Sequence, residues 1–203
     1  MDYIALVLFV ISASVTPGPN NIMVMTSGIN HGLRKSIPHL VGINTGFPLM
    51  IVLVGLGFNT IFEKFPFLFN ALKIVSAVYL LFIAYGIFKG SIGSDENSHR
   101  KPMTMIEAAL FQWINPKAWI MVIGVLAAFT NMESSYLTQT LFIALIFMLF
   151  GPLCTGLWLY SGVGLKKLLS KKIYLQIFNT SMALLLVVSL WPIFKDIYEF
   201  LVS

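Results

Sequence analysis

Charged residues are scarce in this chain. Only 10% of its 203 residues are Asp, Glu, Lys or Arg, whereas a soluble domain has about 25%. So few charges cannot cover the surface of a soluble protein in which 58% of the residues are hydrophobic. The composition therefore predicts an integral membrane protein, whose natural solvent is lipid.

Cysteine pairs and clustered carboxylates are also missing. The single cysteine, Cys154, cannot form an internal disulfide or a redox pair, which argues against a membrane redox protein. None of the eight acidic residues lies in the middle of an apolar segment, although a metal site or a Mg²⁺-dependent lipid-headgroup enzyme would need such carboxylates. The histidines also lack metal-ligand spacing. We therefore expect no metal site and no cofactor.

Six apolar segments are long enough to cross a bilayer, which takes about 20 residues per helix. They occupy residues 4–27, 38–62, 67–88, 105–129, 137–162 and 176–195. The first has no positively charged leader and no clear cleavage site, so we expect it to be a helix of the mature protein and not a signal peptide.

The longest polar stretch, residues 89–104, divides the chain nearly in half. We expect one transmembrane transport domain over residues 1–203, with halves 1–90 and 103–203 joined by a linker at about 91–102. Three spans in each half predict inverted repeats, because the second half must then enter the membrane from the opposite face. The predicted fold is all-α, with six transmembrane helices as two inverted three-helix repeats and with helices 1 and 4 broken near mid-membrane.

Short sequence echoes between the halves support the repeat. "GFPLM" at 46–50 resembles "FGPLC" at 150–154, and "FNALKIV" from 69 resembles "FNTSMAL" from 178. Prolines interrupt the first and fourth spans at a similar depth. The second span also has glycines at 42 and 46, a spacing that lets helices pack closely in lipid.

The basic residues collect on alternate loops. One side holds Arg34, Lys35, Lys89, Arg100, Lys101, Lys166, Lys167, Lys171 and Lys172. The other side holds Lys64 and Lys195, with Lys73 at the start of the third span. By the positive-inside rule, the first, third and fifth loops are cytoplasmic and both termini lie outside. The net charge of +5 then reflects loops that touch anionic lipid, and no nucleic-acid partner is expected.

A break interrupts the first span near its middle. Its residues are Thr16, Pro17, Gly18, Pro19, Asn20 and Asn21. Proline removes a backbone donor, and in lipid the freed backbone groups are tolerated only where they are buried in protein or line a polar cavity. The second half-helix would point its N–H groups at an anion such as a carboxylate, and the asparagines would add donors and acceptors. The alternative is a simple proline kink whose amides bond neighbouring helices.

A second break lies near the centre of the fourth span. Its residues are Gln112, Asn115, Pro116 and Lys117. A lysine at this depth costs about 3 kcal/mol on insertion scales and therefore needs a partner or a water-filled cavity. Lys117 would hold a substrate carboxylate or exchange a proton during transport. The alternative is a structural lysine that caps carbonyls of the broken first span. Glu107 and His39, near the cytoplasmic starts of two spans, are weaker candidates for proton coupling.

Several motifs together resemble one known family. They are "TPGPNN" at 16–21, "SGINHGLRKS" at 27–36, "GINTG" at 42–46, "KIVSAVYLLFIAYGIF" at 73–88 and "FQWINPKAWIM" at 111–121. In this order the chain resembles the lysine exporter (LysE/RhtB) family of bacterial amino-acid efflux proteins over essentially its whole length. The resemblance implies a multi-pass plasma-membrane exporter driven by the proton gradient, with a homodimer as an open question.

The resemblance also implies which residues of this chain form the site and which class of substrate it binds. The matching positions are Thr16, Pro17, Gly18, Pro19, Asn20, Asn115, Pro116 and Lys117. Some family members have an acidic residue in the fifth span, and this chain has none there. A basic substrate is therefore disfavoured, and the expected partners are protons, membrane lipid and a small neutral amino acid such as homoserine, threonine or a cysteine derivative. A metal-ion efflux protein of a related fold is the alternative.

Overall fold

The computed structural model describes residues 2–58, 64, 66–89, 102–131, 135–165, 169, 171–191 and 194–195. Within these ranges the chain is helical and has no β-strand, which confirms the all-α prediction for them. The helices are α1 (Tyr3–Val15), α2 (Pro19–Leu53), α3 (Pro66–Phe88), α4 (Met105–Phe111), α5 (Pro116–Phe129), α6 (Tyr136–Leu165) and α7 (Lys172–Ser189). A π-helical turn, Val54–Phe58, extends α2, and a 3₁₀ turn, Gln112–Ile114, follows α4.

Two helices of the described part are long and apolar enough to cross a membrane. They are α2 with its π-helical turn and α6, and α4 with α5 makes a third if the bent pair is one span. The other apolar helices found there are shorter: Tyr3–Val15, Ala77–Phe88 and Ile173–Val188. The six-span count and the inverted repeat therefore stay predictions. The predicted linker, apart from Pro102, and the end of the second span, 59–62, lie outside the described residues.

Both predicted breaks are present. α1 ends at Val15 and α2 begins at Pro19, while α5 begins at Pro116 after the 3₁₀ turn. The helix pair on the two sides of the second break is bent by 71°. Proline occupies the first turn of α2 and of α5, where its missing N–H costs nothing and its fixed φ suits a new helix.

The predicted connection between the first and second spans, 28–37, is shorter than expected, because the chain turns at a single residue inside it. α2 runs through this segment, and Arg34 and Lys35 are exposed helical residues. Only Gly32 leaves the helical conformation, with φ 74° and ψ 175°. Glycine adopts a positive φ without a steric penalty, so one residue redirects the helix where the polar sequence predicted a longer connection.

Close helix packing through glycines holds the centre of the fold together. α2 makes its most extensive contacts with α6, and next with α4. A Cβ on Gly42 would collide with the Met105 backbone of α4, and a Cβ on Gly46 would lie 2.5 Å from Ala109 Cα. On α6, a Cβ on Gly162 would collide with the Met25 backbone. The small residues therefore let backbones approach as they do in lipid-embedded helix pairs.

Gly162→Ala is expected to lower the thermal stability of the detergent-solubilised protein. The added methyl group meets backbone, which cannot move aside as a flexible side chain can, and such overpacking costs about 1–3 kcal/mol. Gly164→Ala is the matched control, because nothing lies within 4 Å of its Cβ position two residues along the same helix. Equal melting temperatures for the two variants would contradict the packing.

Large apolar side chains cover the outside of the helices. Leu8 of α1, Leu49 of α2, Ile120 of α5, and Leu153 and Leu157 of α6 are each between 55% and 64% exposed. Soluble monomers rarely expose apolar patches of more than a few hundred Å². These faces fit contact with lipid, while the interior is formed by clusters such as the one shared by α1, α2, α5 and α6.

Candidate functional site

A cavity lies where the two breaks meet. Residues of both breaks line it: Gly18, Asn20, Asn21, Asn115 and Lys117. Apolar side chains such as Phe47, Met121 and Phe147 form other parts of its wall. The volume open to the centres of water molecules is about 50 Å³, several times the roughly 10–15 Å³ that one water needs. The cavity therefore suits a small, partly polar ligand.

The Lys117 ammonium is directed at the broken end of α1. Its Nζ donates to the carbonyl of Thr16 at 2.9 Å, to the Thr16 hydroxyl at 2.7 Å and to the carbonyl of Pro17 at 3.3 Å. An ammonium has three hydrogens, so these contacts account for all of them. Its side chain passes Gly18 closely, since a Cβ there would lie 2.6 Å from Lys117 Cδ. Lys117 thus caps α1 across the interface between the two breaks.

Other donors satisfy the remaining carbonyls at the end of α1. Asn21 Nδ2 donates to the carbonyls of Ser14 and Thr16, both at 2.8 Å. The indole of Trp158 on α6 donates to the Val15 carbonyl at 3.0 Å. The last carbonyls of a helix have no partner within the helix, and leaving them unpaired in lipid is costly. The first break is therefore built into the protein by side chains from three helices.

Asn20 and Gln112 link the two breaks directly. Asn20 Nδ2 donates to Gln112 Oε1 at 2.8 Å, and Gln112 Nε2 donates back to Asn20 Oδ1 at 3.1 Å. Gln112 is fully buried and also donates to the Ala108 carbonyl at 2.8 Å. This pair fixes the start of α2 against the 3₁₀ turn that precedes α5.

The two half-helices that begin at the breaks differ in how their N-termini are capped. Asn115 Oδ1 accepts from the Lys117 backbone N–H at 3.1 Å, so the start of α5 is capped. The start of α2 at Gly18 has no side-chain cap. Its first N–H groups and the positive end of its dipole are therefore the ones available to an anion.

The predicted site residues fall into three groups. Gly18, Asn20, Asn21, Asn115 and Lys117 line the cavity. Thr16, Pro17 and Gln112 contact those residues through hydrogen bonds, and Pro19 and Pro116 start the half-helices.

The two weaker coupling candidates lie away from the cavity wall. Glu107 is exposed and forms a capping box with Thr104, with Thr104 N donating to Glu107 Oε2 at 2.8 Å. His39 is buried on α2, and its Nδ1 has no hydrogen-bond partner in the described part of the chain. Neither side chain lines the cavity. The described ranges also contain no group of three His, Cys, Asp or Glu residues that could hold a metal ion.

Sequence reasoning missed a group of polar residues in the part of the cavity wall that lies outside the two breaks. Asn44 of α2 and Gly151 and Thr155 of α6 also line the cavity. Asn44 Nδ2 donates to Thr155 Oγ1 at 2.8 Å. The signal was present, because Asn44 lies in "GINTG" and Gly151 lies in the echoed "FGPLC", but the helices continue through both segments, so neither marks a broken span.

Comparison with known proteins places this sequence in a family. The family described as LysE type translocator matches residues 11–189, a range that contains both breaks. The chain belongs to the LysE family. No solved structure matches it. LysE members are transporters, so this LysE chain is a multi-pass membrane transporter and not an enzyme.

Curated relatives of this LysE chain are named efflux proteins. It is 28% identical to the cysteine/O-acetylserine efflux protein of Salmonella choleraesuis (strain SC-B67) over 155 residues, 76% of this chain and 78% of the relative. It is 31% identical to the homoserine/homoserine lactone efflux protein of Salmonella typhimurium over 134 residues, 63% of this chain and 64% of the relative. With the cysteine/O-acetylserine efflux protein of Escherichia coli O1:K1 / APEC the identity is 25% over 180 residues, 88% of this chain and 90% of the relative.

Proposed function

We propose that this LysE chain exports small neutral amino acids or close derivatives across the bacterial plasma membrane. The observation that carries the proposal is that both helix breaks line one small cavity with amide groups, a lysine and an uncapped helix N-terminus. None of the described residues that line the cavity is acidic, which disfavours a substrate with an extra positive charge. The relatives named for cysteine, O-acetylserine and homoserine efflux support the same class.

The two charged ends of an amino acid have separate partners in this proposal. The carboxylate binds at the start of α2, where free N–H groups and the helix dipole favour an anion, with Lys117 beside it. The amino group binds to amide oxygens. Asn21 uses both of its N–H donors on the carbonyls of Ser14 and Thr16, so its side chain has only the oxygen to offer to a ligand.

Transport follows from exchange of the Lys117 partners. A substrate carboxylate in the cavity would compete with the carbonyls of Thr16 and Pro17 for the Lys117 ammonium. Loss of a proton from this ammonium would also weaken its hold on the two carbonyls. Either event would loosen the contact between the first and second breaks. We propose that six spans in two inverted halves then rock to open the cavity to the other side, with both termini outside. Glu107 and His39 are secondary candidates for carrying the proton.

Efflux from loaded cells tests this function. Cells that express the protein and cells with empty vector are preloaded with a mixture of amino acids, and the medium is followed by mass spectrometry. One or two small neutral amino acids are expected to leave faster with the protein, and lysine and glutamate are expected to leave at the same rate. If no amino acid leaves faster although the protein is in the membrane, the proposal is wrong and metal ions are tested next.

A further inference from the structure

The side-chain amide of Asn44 has a fixed orientation in the cavity wall. Its Nδ2 donates to the Leu40 carbonyl and to Thr155 Oγ1, both at 2.8 Å. The Thr155 hydroxyl donates its own hydrogen to the Gly151 carbonyl at 2.9 Å, so toward Asn44 it can act only as an acceptor. Because both neighbours are acceptors, the NH₂ group must face them. The side-chain oxygen of Asn44 is therefore the atom that remains available to a ligand.

The chain leaves room beside this oxygen. A Cβ on Gly151 would lie 2.8 Å from Asn44 Oδ1, so any larger residue at that position would press on the oxygen. Gly151, Asn44 and Thr155 all line the same cavity. Among the described residues, none donates a hydrogen bond to Asn44 Oδ1. Asn44 therefore presents an unused acceptor at the cavity wall.

Asn21 supplies a matching acceptor at the first break. It is 3% exposed, its two donors are used on the carbonyls of Ser14 and Thr16, and no donor in the described ranges reaches its oxygen. A substrate ammonium carries three N–H donors and no acceptor. Two neutral amide oxygens can receive it without a permanent negative charge deep in the membrane, which would be costly when the cavity is empty.

We propose that Asn44 Oδ1 binds the α-ammonium group of the exported amino acid, and that Thr155 and Gly151 are positioning residues that hold this oxygen in place. The inference rests on the proposed function and adds to it a selectivity: the site distinguishes compounds with a free amine from otherwise identical carboxylic acids. Asn44 is thus a specificity residue on the wall that lies outside both breaks.

Competition in proteoliposomes measures this selectivity. Vesicles with the purified protein export a labelled amino acid taken from the efflux screen, and unlabelled compounds compete: the same amino acid, its 2-hydroxy acid and its deaminated carboxylic acid. In the wild type the free amine is expected to compete at least about tenfold better, the factor expected for one hydrogen bond to a charged group. In Asn44→Leu this ratio is expected to fall severalfold, while the oxygen of Asn21 retains the rest of the preference.

Two further variants separate binding from folding. Thr155→Val keeps Asn44 but removes the acceptor that orients it, so the ratio should fall, and Thr155→Ser should restore it. Thr45→Val changes a neighbour on α2 whose hydroxyl donates to carbonyls of its own helix, and it should leave the ratio unchanged. Each variant is compared at equal amounts of monodisperse protein.

The outcomes are distinguishable. No export of any amino acid by the wild type is a failure of the proposed function. Wild-type export with an unchanged amine preference in both Asn44→Leu and Thr155→Val overturns the role of Asn44 alone. If Asn44→Leu loses a preference for substrates with a side-chain hydroxyl but keeps the amine preference, the proposal is also overturned. The Asn44 oxygen would then bind a different part of the substrate.

Discussion

Replacing Lys117 by methionine is expected to abolish export, with a loss of at least about a hundredfold in the initial rate, equivalent to about 2.7 kcal/mol. The substitution keeps the length and most of the apolar stem of the side chain. It removes the three hydrogen bonds to Thr16 and Pro17 and the positive charge beside the proposed carboxylate site. In lipid, a carbonyl that loses its partner costs several kcal/mol, so thermal stability in detergent should also fall.

Two comparisons separate the charge from the cap. Lys117→Arg keeps a cation and donors, although its planar fork is not equivalent to an ammonium, and should recover stability and part of the export. Lys35→Met makes the same chemical change at an exposed position of α2 and should leave transport at the wild-type rate. Initial rates are measured in proteoliposomes at equal protein. Wild-type export by Lys117→Met would show that neither the cap nor the charge is needed.

The geometry of Lys117 joins two interpretations that the sequence left as alternatives. The ammonium binds the carbonyls that directly follow α1, as a structural lysine would, and it does so at the wall of the cavity. Its partners lie 100 and 101 residues away in the chain. A group that holds the two breaks together in this way is well placed to respond to a substrate, because any anion that attracts it must draw it away from α1.

The parts of the fold that could be predicted have strong local causes. Pro17, Pro19 and Pro116 break helices through their own covalent structure, so both breaks were located to within a few residues. The small-residue spacing of Gly42 and Gly46 likewise predicted close packing, which the contacts with α4 confirm.

The parts that could not be predicted depend on distant residues or on a single backbone conformation. Thr155 lies 111 residues from Asn44, and nothing near either residue marks the pair. The connection predicted at 28–37 was too long for a different reason. Its polar residues are typical of a connection, but Gly32 redirects the chain through one positive φ and leaves the flanking residues free to stay helical.

Asn20→Leu is expected to destabilise the protein more than the double variant Asn20→Leu/Gln112→Leu. The single change leaves the Gln112 carbonyl oxygen, which is fully buried, without the donor it has from Asn20. Leaving one buried partner unsatisfied costs about 1–3 kcal/mol, whereas replacing both partners by apolar groups is close to neutral. The two amides should therefore show a coupling free energy of about 1–3 kcal/mol in a double-mutant cycle.

Unfolding in detergent measures all four members of this cycle, and export measures a separate property. Because Asn20 lines the cavity, the double variant should regain stability but not transport, which should stay at least about tenfold below the wild type, a barrier increase of about 1.4 kcal/mol. Additive destabilisation would show that the reciprocal amide pair does not join the two breaks. Recovery of both stability and export in the double variant would instead mean that the pair is purely structural, and that α2 presents its N-terminus to the substrate without help from Asn20.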